Sequence, residues 1–375
     1  MRLAILGTRG VPAAYSGFET LAEELGARLA LRGHEVSVYT RPHYAPPGLR
    51  TWRGIRLVVV PTVRHKYLET VVHTAASTAH AMAARYDAVL VCNAANAVFT
   101  CWPRLVGTGV ALNVDGHDRK RKKWNALGRM WYTLSEQLAL RFPNAIVTDA
   151  AVIERYYQQA YRRATVLIPY GAEAQHTSDR DVLDRFGLEP GRYVLYVGRL
   201  EPENNAHAVV AGFEPTSTPM KLAIVGDAPY AAGYIARLKQ TRDSRIVFTG
   251  GVYGAGYRQL QSHARLYVQA TEVGGTHPAL VEAMAYGHAV AANDVPEHRE
   301  VLGDAGTYFR VEEPATLTAV LERLLADPKL AADLGRRAAA RAAERYTWDA
   351  VTDAYERLFG NLARQRAAPG SGDGR

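Results

Sequence analysis

Cysteine is nearly absent from this 375-residue chain. The two that occur, Cys92 and Cys101, are too few for a disulfide framework and spaced wrongly for a redox Cys-x-x-Cys pair or a zinc site. A reducing cytoplasm is the expected setting. Also missing is any run of roughly 18 to 20 uncharged apolar residues, the length that spans a bilayer. The opening MRLAILGTRG passes from a short apolar strand straight into glycine, without the longer apolar region and cleavage site of a secretory signal. Helix-turn-helix, ribonucleoprotein and zinc-finger patterns are absent too, so nucleic acid is not an expected partner.

What is present is an ordinary globular mixture, 48% hydrophobic and 22% charged, which excludes disorder as the main state. At roughly 100 to 200 residues per domain the length points to two domains. The net charge of +8 is unevenly spread. Residues 1–175 hold 22 Lys and Arg against 12 Asp and Glu, whereas residues 176–375 hold 23 against 25. The densest point is Arg119-Lys120-Arg121-Lys122-Lys123, followed by Trp124, Met130, Trp131 and Tyr132. Cations beside large amphipathic rings suit an anionic membrane surface or a phosphate-bearing partner, with a solvated charged face as the plainer reading.

The chain opens as strand (Leu3 to Leu6), glycine-rich turn (Gly7, Gly10, Gly17) and amphipathic helix from Phe18 to Arg32, stopped by Gly33. The strand EVSVYT completes a βαβ unit, and strands near 57–61, 88–92, 110–114 and 145–148 continue a parallel sheet. The quiet stretch Thr70 to Ala84 reads as a buried helix. After the breaker-rich Ile168-Pro169-Tyr170-Gly171 a second series begins, with strands YVLYVG, KLAIVG, RIVFTG, RLYVQA and HAVAAN. Two such series predict an α/β protein of two Rossmann-like domains. Helical segments follow from Pro314 to Leu362, and the Gly-, Ser- and Pro-rich residues 364–375 read as a disordered tail.

Several strand ends carry residues suited to chemistry. Gly7-Thr8-Arg9-Gly10 lets the backbone approach a phosphate or sugar, although a tight strand-to-helix turn needs the same glycines. Its spacing is not Gly-x-Gly-x-x-Gly, and Thr40-Arg41 stand where a dinucleotide site has an acid. Arg199, after the first strand of the second series, could grip a diphosphate with its planar fork or serve as a surface ion pair. Gly226-Asp227 and Gly250-Gly251 repeat glycine at strand ends, so three loops converge on one edge. Glu272-Val273-Gly274-Gly275-Thr276-His277 precedes a helix beginning near Pro278, where free N–H groups and the helix dipole favour an anion. One turn in, Glu282 can accept hydrogen bonds from sugar hydroxyls. In the first domain Asp115, His117 and Asp118 follow a strand. A carboxylate there could accept a proton or hold a sugar hydroxyl, or Asp115 could cap the next segment. His117 and Asp118 lack a third ligand at regular spacing, so no metal and no cofactor is expected.

Taken in order, these motifs resemble the nucleotide-sugar glycosyltransferases of the GT-B fold, in the large retaining family four. The resemblance covers nearly the whole chain: the opening glycine loop, the hinge Ile168-Pro169-Tyr170-Gly171-Ala172-Glu173, Gly198-Arg199-Leu200, and Glu282-Ala-Met-Ala-Tyr-Gly287. More narrowly, GTRGVPAAYSGFE, NVDG, GRLEPENN, GDAPY, FTGGVY, VGGTHPALVEAMA and DVPEHREVLGDAG resemble bacterial rhamnosyltransferase-like enzymes of cell-wall and capsular polysaccharide assembly.

The resemblance implies an acceptor domain over 1–171, a donor domain over 172–347, a central cleft, and a terminal helix (about 348–363) crossing back to the first domain. It implies transfer of a sugar, L-rhamnose from dTDP-rhamnose, with retention, to a polyprenyl-linked or other saccharide at the inner membrane face. A nucleotide-sugar 2-epimerase, a dinucleotide-dependent oxidoreductase and an inactive adaptor are the competing classes. By resemblance Glu282 binds ribose and Arg199 the diphosphate. Gly274, Gly275 and Thr276 offer amides, and Gly10 and Gly17 close the site. Asn204, Gly226 and Val252 complete the donor set, and Asp115 contacts the reacting sugars. Lys120, Arg121, Lys123 and Trp124 face acceptor or membrane. Two positions depart from the general family: Gly274 replaces a glutamate and Asn204 a lysine. Departures at His117, Asp118 and Arg119 bear on acceptor choice.

Overall fold

The computed structural model describes residues 1–14, 16–65, 68–114, 126–228 and 230–367. Asp115, His117, Asp118 and the whole basic segment with Lys120, Arg121, Lys123 and Trp124 lie outside the described residues. Those described form two compact units, the first from 1–114, 126–169 and 348–367 and the second from Tyr170–Thr347.

The first unit is an eight-stranded sheet. Its strands are β1 (Arg2–Leu6), β2 (Glu35–Thr40), β3 (Thr51–Trp52), β4 (Ile55–Val59), β5 (Ala88–Cys92), β6 (Gly109–Val114), β7 (Ala145–Thr148) and β8 (Val166–Leu167), in the order β3-β4-β2-β1-β5-β6-β7-β8. Only the β3–β4 hairpin is antiparallel. AVLVC of β5 and GVALNV of β6 are buried at every position, the continuous apolar pattern of strands covered on both faces.

The last helix, Trp348–Ala367, belongs to this unit, packing against helix Gly17–Leu31 and strands β5 and β6. Glycine makes that contact possible: a Cβ at Gly109 would lie 2.7 Å from Leu362 Cβ. Asn113 Nδ2 donates to the buried Tyr355 hydroxyl at 2.7 Å, tying helix to sheet. The helix continues to Ala367, beyond the expected end at 363, because Asn361 to Ala367 contain neither glycine nor proline to stop it.

The second unit has six strands, all parallel: β9 (Tyr193–Val197), β10 (Lys221–Val225), β11 (Ile246–Gly250), β12 (Leu266–Gln269), β13 (Ala289–Asn293) and β14 (Thr307–Phe309). Their order is β11-β10-β9-β12-β13-β14. Val194, Ile224 and Leu266 from the strands meet Phe213, Leu317 and Leu321 from the helices in one core.

Both sheets are Rossmann-like, and each reverses its winding once. β1 lies between β2 and β5, and β9 between β10 and β12. Loops leaving the carboxyl ends of those neighbours run in opposite directions, opening the crevice in which such sheets bind ligands.

Gly109→Val should force the C-terminal helix off β6 and cost about 1–3 kcal/mol, seen as an earlier urea-unfolding transition; an unchanged midpoint would contradict this packing.

Candidate functional site

In the second unit, three strand ends are laced through their backbones. Gly198 N–H donates to Val225 O at 3.0 Å, Gly226 N–H to Gly250 O at 2.9 Å, and Leu200 N–H to Asp227 O at 3.3 Å. Gly226 has φ +148°, and a Cβ there would lie 1.8 Å from Gly198 O. Any side chain at 226 would therefore spread the loops, which is how Gly226 serves the site.

Arg199 emerges from this weave with its side chain about one-quarter exposed and Nη1 3.5 Å from Glu201 Oε2. Asn204, expected among the donor contacts, is only 5% exposed. Its Nδ2 donates to Arg199 O at 2.6 Å, while Tyr196 Oη donates to Asn204 O at 2.8 Å. Asn204 thus braces the arginine loop. Next to it, Asn205 Nδ2 donates across to Ala270 O at 3.0 Å, and Glu272 N–H donates to Glu203 O at 3.1 Å. These two bonds join the loops after β9 and β12, the pair flanking the reversal. Glu203 itself is fully buried, with no hydrogen-bond partner for either carboxylate oxygen among the described residues.

The β12 loop delivers Gly274, Gly275 and Thr276 to helix Pro278–Ala285, whose first position is proline. A Cβ at Gly274 would lie 2.2 Å from Cε1 of His277, so this ring fills the space into which a longer side chain at 274 would grow. His277 meets His298 edge-on, with centroids 5.0 Å apart. Here lies a physical reason for glycine where the general family has glutamate. Val252 follows Gly250 and Gly251 and lies against Gly256 in the first turn of helix Gly254–His263.

Glu282 is held from that same helix. Tyr257 Oη donates to Glu282 Oε2 at 2.6 Å and accepts from Gln261 Nε2 at 2.7 Å. Gln261 Oε1 is 3.2 Å from Nε2 of the buried His288. Burial, and then the facing carboxylate, raise the Tyr257 phenol well above its ordinary pKa and keep it a donor. Tyr257, Gln261 and His288 were not legible as site residues from the sequence; the four-residue spacing of Tyr257 and Gln261 was the available signal.

In the first unit the glycine loop is closed upon itself. A Cβ at Gly7 would lie 2.3 Å from Cys92 O, and one at Gly10 would lie 2.2 Å from Thr40 Cγ2. The buried Glu19 takes Arg9 N–H at 2.7 Å and the Ser16 hydroxyl at 2.5 Å; Glu23 takes Ala13 N–H at 2.6 Å. Gly10 N–H donates to Thr8 Oγ1 at 3.1 Å. The amides of Arg9, Gly10 and Ala13 thus find partners in Thr8 and in two carboxylates of the following helix, which gives these glycines the tight strand-to-helix turn as one role. Gly17 is the first residue of helix Gly17–Leu31, next to Ser16, whose hydroxyl donates to Glu19.

Beside the loop, Arg41 and Glu69 form a buried ion pair at 3.1 Å, with His43 Nε2 2.6 Å from the other Glu69 oxygen. Arg9 lies over the Tyr44 ring at 5.0 Å. The sequence also holds one Asp-x-Asp triplet, Asp179-Arg180-Asp181, a pattern associated with metal binding. Both carboxylates are exposed, and Asp181 opens helix Asp181–Phe186.

This arrangement has relatives. Residues 16–171 match the family "Glycosyl transferase 4-like domain", and residues 191–327 match "Glycosyl transferases group 1". The chain belongs to these glycosyltransferases, and its two parallel-sheet domains have the GT-B fold. Phosphatidyl-myo-inositol mannosyltransferase of Mycolicibacterium smegmatis is 31% identical over 226 residues, 57% of this chain and 55% of that protein. The shared stretch is thus little more than half of that relative. Sucrose-phosphate synthase from Thermosynechococcus elongatus superposes with a TM-score of 0.81 at 20% identity, over 97% of this chain and all of the other. Anabaena HepE in complex with UDP-glucose gives 0.76 at 19%, over 96% of this chain and all of the other. At such identities the structures speak for the fold.

Burial lowers the imidazoles of His288 and His298 from 6.5 to about 4. The unfolded chain then binds more protons than the folded one between those values, so this contribution is complete above about 6.5 and declines as pH falls toward 4. Urea titrations should show stability falling across that window. His298→Asn, whose amide can keep the bond to Asn293 O, should flatten the fall, and an unchanged slope would contradict it.

Proposed function

We propose that this chain transfers a sugar from a nucleoside-diphosphate donor to a hydroxyl of a lipid-linked saccharide. The observation carrying this reading is that the loops bearing Arg199 and Gly274-Gly275-Thr276 leave the neighbouring strands β9 and β12 at the carboxyl edge where the second sheet reverses, with Glu282 in the helix that follows. In this reading Glu282 accepts from ribose, Arg199 holds the diphosphate, and the amides of Gly274 to Thr276 face phosphate or sugar. Asn204 and Gly226 act through the Arg199 loop, and Val252 borders the nucleotide. The remaining assignments, Gly10 and Gly17 near the sugar, Asp115 at the reacting sugars and the first domain as acceptor domain, rest on motif resemblance.

The reaction runs with retention. The donor C1–O bond breaks toward an oxocarbenium-like state while charge grows on the leaving diphosphate, where a fixed guanidinium stabilises the transition state more than the ground state. The acceptor oxygen bonds to C1 on the face being vacated and its proton passes to the departing phosphate oxygen. No protein nucleophile is needed.

The motifs favour L-rhamnose carried by dTDP. A mannosyl donor is the second reading, favoured by the name of the mycobacterial relative. A membrane-bound acceptor agrees with helix Ala126–Ala139, which exposes Leu127, Met130 and Leu134 at 70%, 63% and 49% on one stripe. No helix among the described residues is long and apolar enough to cross a membrane; the contact proposed is peripheral and on the cytoplasmic face. The neighbouring Lys120, Arg121, Lys123 and Trp124 add cations and an interfacial ring.

Thermal shifts against dTDP, UDP, GDP and their sugars would identify the donor, with anomeric NMR of the product testing retention. Arg199→Ala should lower kcat by about 10²–10³, and Glu282→Ala should weaken nucleotide binding. Activity untouched by both would remove these residues from the site, and no transfer by the wild type with any of these donors would remove the enzyme reading. Replacing Arg119 to Lys123 by glutamine, or Leu127 and Met130 by serine, should reduce co-sedimentation with anionic liposomes; unchanged binding would remove the membrane contact.

A further inference from the structure

We infer that Tyr257, Gln261 and His288 form a directional hydrogen-bond relay that positions the Glu282 carboxylate for a nucleotide ribose hydroxyl, making Tyr257 a positioning residue of the donor site. The inference rests on the donor site proposed above. Its geometry is a single file: Tyr257 Oη to Glu282 Oε2 at 2.6 Å, Gln261 Nε2 to Tyr257 Oη at 2.7 Å, and His288 Nε2 to Gln261 Oε1 at 3.2 Å.

Chemistry fixes the direction of each link. An ionised carboxylate only accepts, so the phenol must donate to it, and the phenol oxygen then accepts from the Gln261 amide. The Gln261 carbonyl oxygen is left to accept, which requires the His288 proton on Nε2. Burial lowers the His288 pKa to about 4, so the ring is neutral with one N–H to give. Every donor in the file therefore points toward Glu282, and successive bonds polarise one another in that sense.

The far end is anchored as firmly. The His288 ring lies parallel to Tyr286 with centroids 6.2 Å apart and planes within 6°, and Tyr286 Oη donates to Gln175 O and accepts from Gln175 N–H at 3.1 and 3.2 Å. Apolar side chains would join helices Gly254–His263 and Pro278–Ala285 without burying polar groups that each need a partner. A relay ending on a carboxylate at the binding edge gives those groups a purpose that packing alone does not.

The test is a cycle of protein and ligand changes read by calorimetry. Wild type, Tyr257→Phe and Gln261→Met are titrated with UDP and dTDP, and with 2′,3′-dideoxyuridine diphosphate and 3′-deoxythymidine diphosphate, which lack the sugar hydroxyls. Tyr257→Phe should weaken the hydroxyl-bearing nucleotide that binds by about tenfold and its deoxygenated partner by no more than about twofold. Gln261→Met, whose length preserves packing, should move in the same direction by less. Equal losses with both kinds of nucleotide would reduce the file to a structural brace and overturn the inference, as would no loss with either. If wild type bound none of the four, nor GDP, the donor-site reading would fail and the relay with it, an outcome distinct from normal binding indifferent to Tyr257.

Discussion

The second unit depends on how closely its backbone loops can approach one another at the carboxyl edge of β9, β10 and β11. With 1.8 Å between a Gly226 Cβ and Gly198 O, no side chain fits, and the three loops are drawn into one hydrogen-bonded surface. Arg199 stands on that surface. Its carbonyl is held by the Asn204 amide, and the next loop across the reversal is held by Asn205 and Glu272. In the role proposed for it, a guanidinium meeting a diphosphate must reorganise little when the ligand arrives, and a loop fixed at several backbone points meets that condition.

The two units use similar glycine turns for different ends. In the first, Glu19 and Glu23 turn inward and take the amides of Arg9 and Ala13, so the loop after β1 is tied to the helix that follows it. Its chemistry is left to side chains at that edge: Arg9 against Tyr44, and the Arg41–Glu69 pair with His43. Removing Glu69 would leave a buried guanidinium without its counter-charge, a far larger loss than the pair's own contribution. In the second unit the glycines give way to a helix start, and the polar load is carried by a side chain one turn in, Glu282.

The architecture was legible because both signals that specify it are local. Five-residue apolar runs such as YVLYV and AVLVC have the length and β-branched content of strands buried on both faces, and glycine at the ends of β1, β9, β10 and β11 marks edges where loops gather. The members of the edge were legible for the same reason, since Arg199, Gly274 and Glu282 all follow strand ends or helix starts. What sits behind them was not. Glu19 and Glu23 read as the polar face of an amphipathic helix, yet they turn back onto a loop ten residues earlier. Asn204 read as a donor contact because it stands where the general family has a lysine, whereas its amide donates to a carbonyl five residues away. Tyr257 and Gln261 lie on helix Gly254–His263 and His288 just before β13, with no motif of their own, and only the tertiary packing aligns them on Glu282.

The glycine at 274 shows how such hidden neighbours reshape a site. In the general family pattern a carboxylate stands there; in this chain the His277 ring occupies the first ångströms of that side chain's path. His277 is in turn set by its edge contact with His298, whose Nδ1 is bonded to Asn293 O at 2.8 Å. Restoring an acid at 274 would first require the imidazole to turn out of that contact. The substitution is therefore not a single missing contact but one end of a packed pair of rings that begins in the core.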